Sequence, residues 1–190
     1  MNNLKTNENI HLKIGLIHYY YGNGRGKTST SIGTIVRAIG HGLKPILIQF
    51  LKLHDENTKH SGFFIGEIHF LNKFIPIKQF GAYNFLYPGK VLNADINRAN
   101  EGLKFAKDAI FSKKYDLVVL DEITEVLALK LINVNDIIEI LKNKPEKVEI
   151  ILTGATYIKE LEEISNYCTR YDLVHHPYYN GYEARPGIEF

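Results

Sequence analysis

Short apolar runs alternate along the chain with longer segments in which apolar residues recur every three or four positions. The runs are rich in isoleucine, leucine and valine, as in buried parallel strands, whereas the longer segments have the spacing of amphipathic helices. The pattern predicts strands over residues 14–21, 45–50, 67–71, 75–80, 117–122, 148–152 and 171–174. It predicts helices over residues 29–40, 91–111, 123–131, 134–141 and 157–167. Strands that alternate with helices are typical of a three-layer α/β domain with a mainly parallel sheet.

The first eleven residues lack this pattern and contribute almost nothing apolar to a core. We therefore expect residues 1–11 to be a flexible N-terminal segment. With 190 residues, of which 45% are hydrophobic, the chain can bury one good core but is short for two. One domain is expected over residues 12–190.

Composition restricts the class of protein further. The formal net charge of +2 argues against a nucleic-acid partner held by a broad basic surface. Cys168 is the only cysteine, which excludes an intrachain disulfide and a cysteine-based zinc site. The polar N-terminus lacks the apolar segment of a signal peptide, and no run approaches the ~18 apolar residues that span a membrane. We expect a cytoplasmic protein with neither a nucleic-acid nor a membrane partner.

A glycine-rich turn lies between the first predicted strand and the first predicted helix, and it reads Gly22-Asn23-Gly24-Arg25-Gly26-Lys27-Thr28. Glycines let successive backbone N–H groups curl around an anion, and a helix that begins at Lys27 or Thr28 adds its N-terminal partial positive charge. Lys27 would reach the outer phosphates of a nucleotide, and Thr28 would offer its hydroxyl to Mg²⁺. The turn is therefore a candidate phosphate-binding site.

The turn departs from the usual pattern G-x-x-x-x-G-K-[ST]. That pattern has a glycine where this chain has Tyr21, and the first glycine here is Gly22. The departure predicts an altered grip on the phosphates. A glycine-rich turn that binds nothing is the alternative, and the placement of GKT between a strand and a helix disfavours it.

Two acids, Asp121 and Glu122, end the predicted strand over residues 117–122. In a parallel sheet the carboxyl ends of the strands face the ligand crevice, so both acids are expected beside the glycine turn. One acid would hold Mg²⁺ together with Thr28, and the other would orient a substrate or a water molecule. The alternative is that the acids cap the following helix. Together with the glycine turn they favour the metal interpretation, with catalytic roles for Lys27, Thr28 and Glu122.

Aromatic residues crowd the segment 81–89, which is bounded by glycine and proline and contains Tyr83 and Phe85. Loops are normally polar and exposed, so such rings must either cap the core or cover a flat apolar partner. Composition alone favours capping.

Residues 174–190, with the sequence VHHPYYNGYEARPGIEF, resemble the carboxyl end of the P-loop ATP:corrinoid adenosyltransferases, which reads roughly K-H-x-x-x-x-G-x-x-A-x-x-G-I-[ED]-[YF]. The same family has the shortened turn G-N-G-[KR]-G-K-T, which accounts for Tyr21 in place of a glycine. It also has R-A-x-G-H-G, Q-F-x-K, Y-D-[LM]-V-V-L-D-E and L-T-G, which are matched here by residues 37–42, 49–52, 115–122 and 152–154. The matches keep their order from about residue 12 to residue 190.

The resemblance implies a P-loop NTPase-like (RecA-like) fold and transfer of the 5′-deoxyadenosyl group of ATP to the Co(I) of a reduced corrinoid, with release of triphosphate. ATP and reduced cobalamin would be the substrates and Mg²⁺ or Mn²⁺ the cofactor. A homodimer and an electron donor such as a flavoprotein are implied as well. A P-loop ATPase or kinase and a non-enzymatic carrier of nucleotide or corrinoid are the alternatives.

One segment differs from the family. The family has G-F-x-W-E near residues 81–86, whereas this chain has no tryptophan. By position Tyr83 corresponds to the phenylalanine, Phe85 to the tryptophan and Leu86 to the acid. Such rings are thought to displace the lower axial ligand of cobalt in the family, which makes the metal easier to reduce. The resemblance therefore implies that Tyr83 and Phe85 face the corrinoid, and it reverses the preference for capping.

Overall fold

A computed structural model describes residues 12–52, 65–81, 86 and 89–189. The strands are β1 (Ile17–Tyr21), β2 (Pro45–Phe50), β3 (Ile77–Phe80), β4 (Leu117–Asp121), β5 (Glu149–Thr153) and β6 (Tyr167–Arg170). The helices are α1 (Lys27–Gly40), α2 (Gly66–Leu71), α3 (Asn93–Phe111), α4 (Ile123–Ala128), α5 (Val134–Lys142) and α6 (Lys159–Ile164). A short 3₁₀ helix covers Pro177–Asn180.

The strands form one sheet in the order β3-β2-β4-β5-β1-β6, and each neighbouring pair is parallel. The central strands β2 and β4 are buried along their whole length. Their sequences are nearly continuous apolar runs because helices cover both of their faces. The parallel sheet expected from the sequence is confirmed.

Successive side chains of a strand point to opposite faces of the sheet, and each face here has its own helices. On one face α1 and α2 contribute buried residues such as Ile35 and Ile68. On the other face α3, α5 and α6 contribute Ala106, Ile137 and Leu161 to a larger cluster, which α4 joins. Two helical layers around a parallel sheet confirm the three-layer α/β architecture of a P-loop NTPase-like domain.

Two strand predictions are wrong. Residues 67–71 belong to helix α2, in which Ile68 and Leu71 are buried while Phe70 is 54% exposed. A spacing of three between buried residues is helical, whereas the alternation of Ile68 with Phe70 imitated a strand. The strand expected over residues 171–174 lies earlier, at Tyr167–Arg170, and the helix expected over residues 157–167 ends at Ile164.

Polar residues at the carboxyl ends of the strands lie together at one edge of the sheet. The carboxyl ends of β1, β2, β4 and β5 lie side by side there, and Gln49 of β2 is paired in register with Asp121 of β4. In parallel sheets this edge forms the ligand crevice. None of the described helices is both long enough and apolar enough to cross a membrane.

Candidate functional site

The glycine-rich turn connects β1 to α1, and its last glycine is the N-terminal cap of the helix. Gly26 has a φ of 116°, a left-handed conformation that residues with a side chain rarely adopt. At Gly24 a Cβ atom would lie 2.7 Å from the carbonyl carbon of Tyr171, in the segment that follows β6. The turn therefore needs glycine both to enter the helix and to let this segment approach.

Two backbone N–H groups of the turn donate to protein carbonyls. The N–H of Gly22 donates to Ala155 O at 3.1 Å, and that of Gly24 donates to Tyr171 O at 2.7 Å. The first N–H groups of an α-helix have no acceptor within the helix, so those of the first turn of α1 are candidate donors for an anion. The N–H groups of Gly22 and Gly24 are therefore already hydrogen-bonded within the protein, so the candidate phosphate site depends on the other N–H groups.

Lys27, the first residue of α1, bends back over the turn. Its ammonium donates to the carbonyl oxygens of Gly22 at 2.6 Å and Gly24 at 2.8 Å. Burial lowers the pKa of Lys27, and the negative charge of nearby acids, Glu122 first, opposes this shift. A phosphate that enters the turn would offer this ammonium a charged acceptor, which is a stronger partner than a carbonyl.

Asp121, the last residue of β4, is fully buried and accepts four hydrogen bonds. Its Oδ1 accepts from the hydroxyls of Thr28 at 2.9 Å and Thr153 at 2.7 Å. Its Oδ2 accepts from the side-chain amide of Gln49 at 2.9 Å and the ammonium of Lys52 at 2.8 Å. Burial on its own raises the pKa of Asp121, but the charge of Lys52 and the hydrogen bonds outweigh it and hold the pKa below its ordinary value. Asp121 is therefore an ionised carboxylate that links three strand ends to α1.

Glu122 follows Asp121 in a strained backbone conformation. Its φ is 61°, in the left-handed region that glutamate rarely occupies, and its N–H donates to the hydroxyl of Thr153 at 3.0 Å. The side chain is 26% exposed and borders the cavity. Burial, followed by repulsion from Asp121, raises the pKa of Glu122. Strain of this kind persists where surrounding contacts enforce it, and it concentrates at functional sites.

Three further residues complete this cluster, namely Gln49, Lys52 and Thr153. The sequence places them in motifs shared with the family and marks residues 153–154 as a second possible ligand turn, but it assigns none of the three a contact with Asp121. Each lies at or just beyond the carboxyl end of β2 or β5. Their position at the strand ends is the signal that could have found them, since polar residues directly after apolar runs collect at the crevice. Only the order of the strands shows that β2 and β5 both flank β4.

The oxygen atoms around Thr28 fit a hard divalent cation such as Mg²⁺. The set consists of the Thr28 hydroxyl and the Glu122 carboxylate, which border one cavity, and the buried Asp121 carboxylate, which contacts the Thr28 hydroxyl from behind. No group of three or more His, Cys, Asp or Glu that could hold a metal by itself occurs in the described part of the chain. Mg²⁺ usually binds one or two carboxylates and completes its shell with water and substrate phosphates, which agrees with this sparse set.

A cavity of about 640 Å³ opens in front of these groups. Its lining combines the turn and the first residues of α1 with Lys52 and Glu122, and with Ile32 and Glu67 further along. This volume lies within the range of small-molecule sites, about 300–1,000 Å³. The lining includes three cationic side chains, those of Arg25, Lys27 and Lys52, which a polyphosphate requires.

The C-terminal segment closes one side of the cavity. Gly187 and Ile188 line it, and the guanidinium of Arg25 in the glycine turn donates to the carbonyl of Ile188. Arg25 also pairs with the carboxylate of Glu189 at 3.3 Å. The side chain of Asn23 accepts a hydrogen bond from the N–H of Leu173 at 3.1 Å, which fixes the start of the same segment. The turn thus holds the C-terminal segment as well as facing the cavity.

The aromatic candidates Tyr83 and Phe85 lie outside the described residues. Gly81, just before them, is described, and it lies against the backbone of Lys52, a residue that lines the cavity. A Cβ atom at Gly81 would overlap the backbone nitrogen of Lys52. Leu86, on the far side of the segment, packs against the larger core cluster.

Comparison with known proteins gives consistent matches along the chain. The family model described as ATP:corrinoid adenosyltransferase BtuR/CobO/CobP matches residues 13–190. A corrinoid adenosyltransferase of Sinorhizobium sp is 30% identical over 180 residues, which cover 93% of this chain and 80% of the relative. A corrinoid adenosyltransferase of Escherichia coli (strain K12) is 28% identical over 176 residues, covering 93% and 86%. An uncharacterized protein of Nostoc sp. is 33% identical over 170 residues, which cover 86% of this chain and 45% of that protein.

Proposed function

This chain belongs to the ATP:corrinoid adenosyltransferase family, and on that premise we propose that it transfers the 5′-deoxyadenosyl group of ATP to the Co(I) of a reduced corrinoid and releases triphosphate. The observation that carries this proposal is the family match over residues 13–190. The contact between Thr28 and Asp121 beside a cavity of nucleotide size supports the ATP half of the reaction.

The reaction needs no nucleophilic side chain, because Co(I) is itself the nucleophile. The protein must position the two substrates and stabilise the negative charge that develops on triphosphate. The electron pair of Co(I) forms the cobalt–carbon bond as the bond between the ribose 5′-carbon and oxygen breaks, and the electrons of that bond go to triphosphate. Negative charge therefore grows on the phosphate oxygen that leaves. We propose that Lys27 and the N–H groups of the first turn of α1 stabilise this charge, because these residues border the cavity.

A divalent cation, Mg²⁺ or Mn²⁺, would neutralise further phosphate charge when it is bound. Thr28 and Asp121 would hold it, and Glu122 would act on it directly or through water. Asp121 is suited to this role because its carboxylate is ionised and immobilised by four donors.

Tyr83 and Phe85 are the candidates for contact with the corrinoid. The close approach of Gly81 to Lys52 supports this assignment, since the aromatic segment then begins beside a residue that lines the cavity. A planar corrinoid that must bring its cobalt to the 5′-carbon of ATP would have to lie next to that cavity, where aromatic rings bury apolar surface well.

The decisive experiment supplies the full chain with Mg²⁺, ATP and chemically reduced cobalamin under anaerobic conditions. Formation of a cobalt–carbon bond is followed by its absorption spectrum, and the phosphate products are separated by chromatography. We expect the spectrum of adenosylcobalamin together with one equivalent of triphosphate. ADP as the product would indicate an ATPase or kinase, and tight binding without turnover would indicate a carrier, so either result would refute the transferase.

The family relationship also leads us to propose a homodimer, a cytoplasmic location and reduction of cobalt by an external donor such as a flavoprotein. The edge strand β6 supports a subunit contact, because all four of its residues are exposed and Tyr167 is 52% exposed. Light scattering at micromolar concentration tests the dimer.

The cytoplasmic location agrees with Cys168, which is a free, exposed thiol, as is usual in a reducing compartment.

A further inference from the structure

Lys52 is a cation at the centre of the site to which no role has been assigned. Its ammonium lies 2.8 Å from Oδ2 of Asp121 and 4.0 Å from Oε1 of Glu122. The side chain is 29% exposed and lines the same cavity as Lys27 and Thr28. It can therefore meet a ligand without any rearrangement of the core.

Backbone contacts on both sides of the chain fix the position of Lys52. Leu51, the residue before it, has a φ of 55°, a strained value for leucine, and its N–H is tied to Phe80 O at 2.8 Å. Gly81 leaves room for the Lys52 backbone where any side chain would overlap it. These contacts turn the chain back over the end of β2, so that Lys52 reaches the carboxylate at the end of β4.

The charge of Asp121 explains why a cation is needed there. Asp121 is fully buried, and an ionised carboxylate in such a place requires a counter-charge. Lys52 is the cation that pairs with it in the described part of the chain. A divalent cation held by Asp121 would supply the same counter-charge, and it would repel an ammonium at this distance.

We propose that Lys52 is a phosphate-positioning residue that exchanges partners, serving as the counter-ion of Asp121 in the free protein and moving to the triphosphate when a divalent cation enters with the nucleotide. This inference rests on the proposed function for its nucleotide. The flexible four-carbon stem of lysine permits the exchange, and the ammonium stays within the cavity in both states. The exchange also makes the divalent cation bind weakly until phosphates arrive to receive the ammonium.

The exchange requires one substitution to have two opposite effects. Replacing Lys52 by methionine, which keeps the stem and removes the charge, leaves Asp121 without its internal counter-ion. The variant should bind Mn²⁺ alone more tightly, by about tenfold or more, because the cation no longer competes with an ammonium. It should bind inorganic tripolyphosphate with Mg²⁺ more weakly, by about tenfold, because it has lost a phosphate contact.

Both affinities are measured on the full chain, Mn²⁺ by electron paramagnetic resonance and tripolyphosphate by calorimetry. Lys78→Met is the matched control, because Lys78 is exposed in the neighbouring strand β3 and its loss should change neither affinity. Lys52→Arg keeps the positive charge and should leave the Mn²⁺ affinity near that of the wild type. An unchanged or weaker Mn²⁺ affinity in Lys52→Met, or an unchanged tripolyphosphate affinity, would overturn the proposal.

A measurement on the wild-type protein covers the case in which Lys52→Met fails to fold. With ¹³Cε-labelled lysine, the Lys52 resonance, identified by its absence in Lys52→Arg, should shift when Mg²⁺ and tripolyphosphate are added together. A Lys52 resonance that stays in place would refute the exchange. If the wild type binds neither ATP nor tripolyphosphate, both the proposed function and the inference about Lys52 fail. If the wild type binds both ligands and the Lys52 resonance does not shift, only the inference about Lys52 fails.

Discussion

The hydroxyl of Thr28 donates to Oδ1 of Asp121 at 2.9 Å, although the two residues are 93 positions apart in the chain. This bond joins the first turn of α1 to the carboxyl end of β4. It places a buried, ionised carboxylate directly behind a hydroxyl that borders the cavity, an arrangement suited to a nucleotide-bound cation. The predictions below test this site and the contacts that hold it.

Replacement of Lys27 by alanine should reduce kcat for adenosyl transfer by at least about 100-fold, because it removes a cation from the site where leaving-group charge develops. The fold should persist, with a change of about 1 kcal/mol or less in the free energy of unfolding, since the Lys27 ammonium donates to two carbonyls of the turn rather than packing in the core. Steady-state kinetics and thermal denaturation measure the two effects. Lys107→Ala on the exposed face of α3 is the control, and turnover at the wild-type rate in Lys27→Ala would contradict the assignment.

Replacement of Thr28 by valine should weaken ATP binding in the presence of Mg²⁺ by about tenfold while leaving binding without the metal nearly unchanged. Valine keeps the volume of threonine and loses the hydroxyl that contacts Asp121. Thr28→Ser restores the hydroxyl and should restore the dependence on Mg²⁺. Calorimetric titration with ATP, with and without Mg²⁺, gives the comparison, and equal losses in both conditions would argue against a role in metal binding.

Replacement of Gly24 by alanine should impair nucleotide binding and destabilise the protein by about 1–3 kcal/mol. The new Cβ would meet backbone atoms of Tyr171 and Asp172 at 2.7 and 2.8 Å, so the turn or the segment after β6 must move. Gly33→Ala in α1 is the matched control. Apart from its chain neighbours and the backbone of its own helix, no atom lies within 4 Å of its Cβ position, and the change should stabilise the helix by about 0.5–1 kcal/mol. Chemical denaturation and ATP titration separate these outcomes.

The contact between Arg25 and the C-terminal segment should depend on pH through Glu189. Hydrogen bonds from Arg185 come first among the causes that lower the pKa of Glu189 to about 2. A carboxylate with a lowered pKa stabilises the folded segment above its ordinary pKa of about 4.5, and this contribution is lost as the pH falls from about 4.5 toward 2. Hydrogen exchange of the amides of residues 185–189 should therefore accelerate over this interval, relative to the amides of β5. Glu189→Gln should show the faster exchange already at pH 7. If neither the lower pH nor Glu189→Gln changed the exchange rate, a stabilising contact of Glu189 with Arg185 and Arg25 would be ruled out.

Replacement of Phe85 by alanine should leave the affinity for ATP unchanged and slow the formation of the cobalt–carbon bond. This prediction rests on the sequence, since Phe85 lies outside the described residues. The reason is the loss of an apolar ring against the corrinoid. Phe74→Ala is a suitable control, because Phe74 is 58% exposed and belongs to the loop after α2. The spectrum of bound cobalamin is the measurement, and identical spectra in the wild type and Phe85→Ala would count against the assignment.

Strands with continuous apolar runs can be predicted from the sequence alone. Strands β2 and β4 are buried throughout, so their sequences identify them without further context. The exposed strand β6 has no such run, and its position was predicted four residues too late. The pattern predicts a strand in place of helix α2 because six residues are too few to separate a spacing of two from a spacing of three.

The sequence by itself determined the three-layer class, the glycine-rich turn before α1 and the acids at the end of β4, because each depends on residues that are neighbours in the chain. Only the tertiary structure decided how these parts meet. Parallel pairing brings β2 and β5 against β4, so that Gln49, Lys52 and Thr153 surround Asp121. The sheet order also commits the N–H groups of Gly22 and Gly24 to other segments. A buried carboxylate takes its charge and its partners from groups that are distant in sequence, and their arrangement exists only once the sheet has formed.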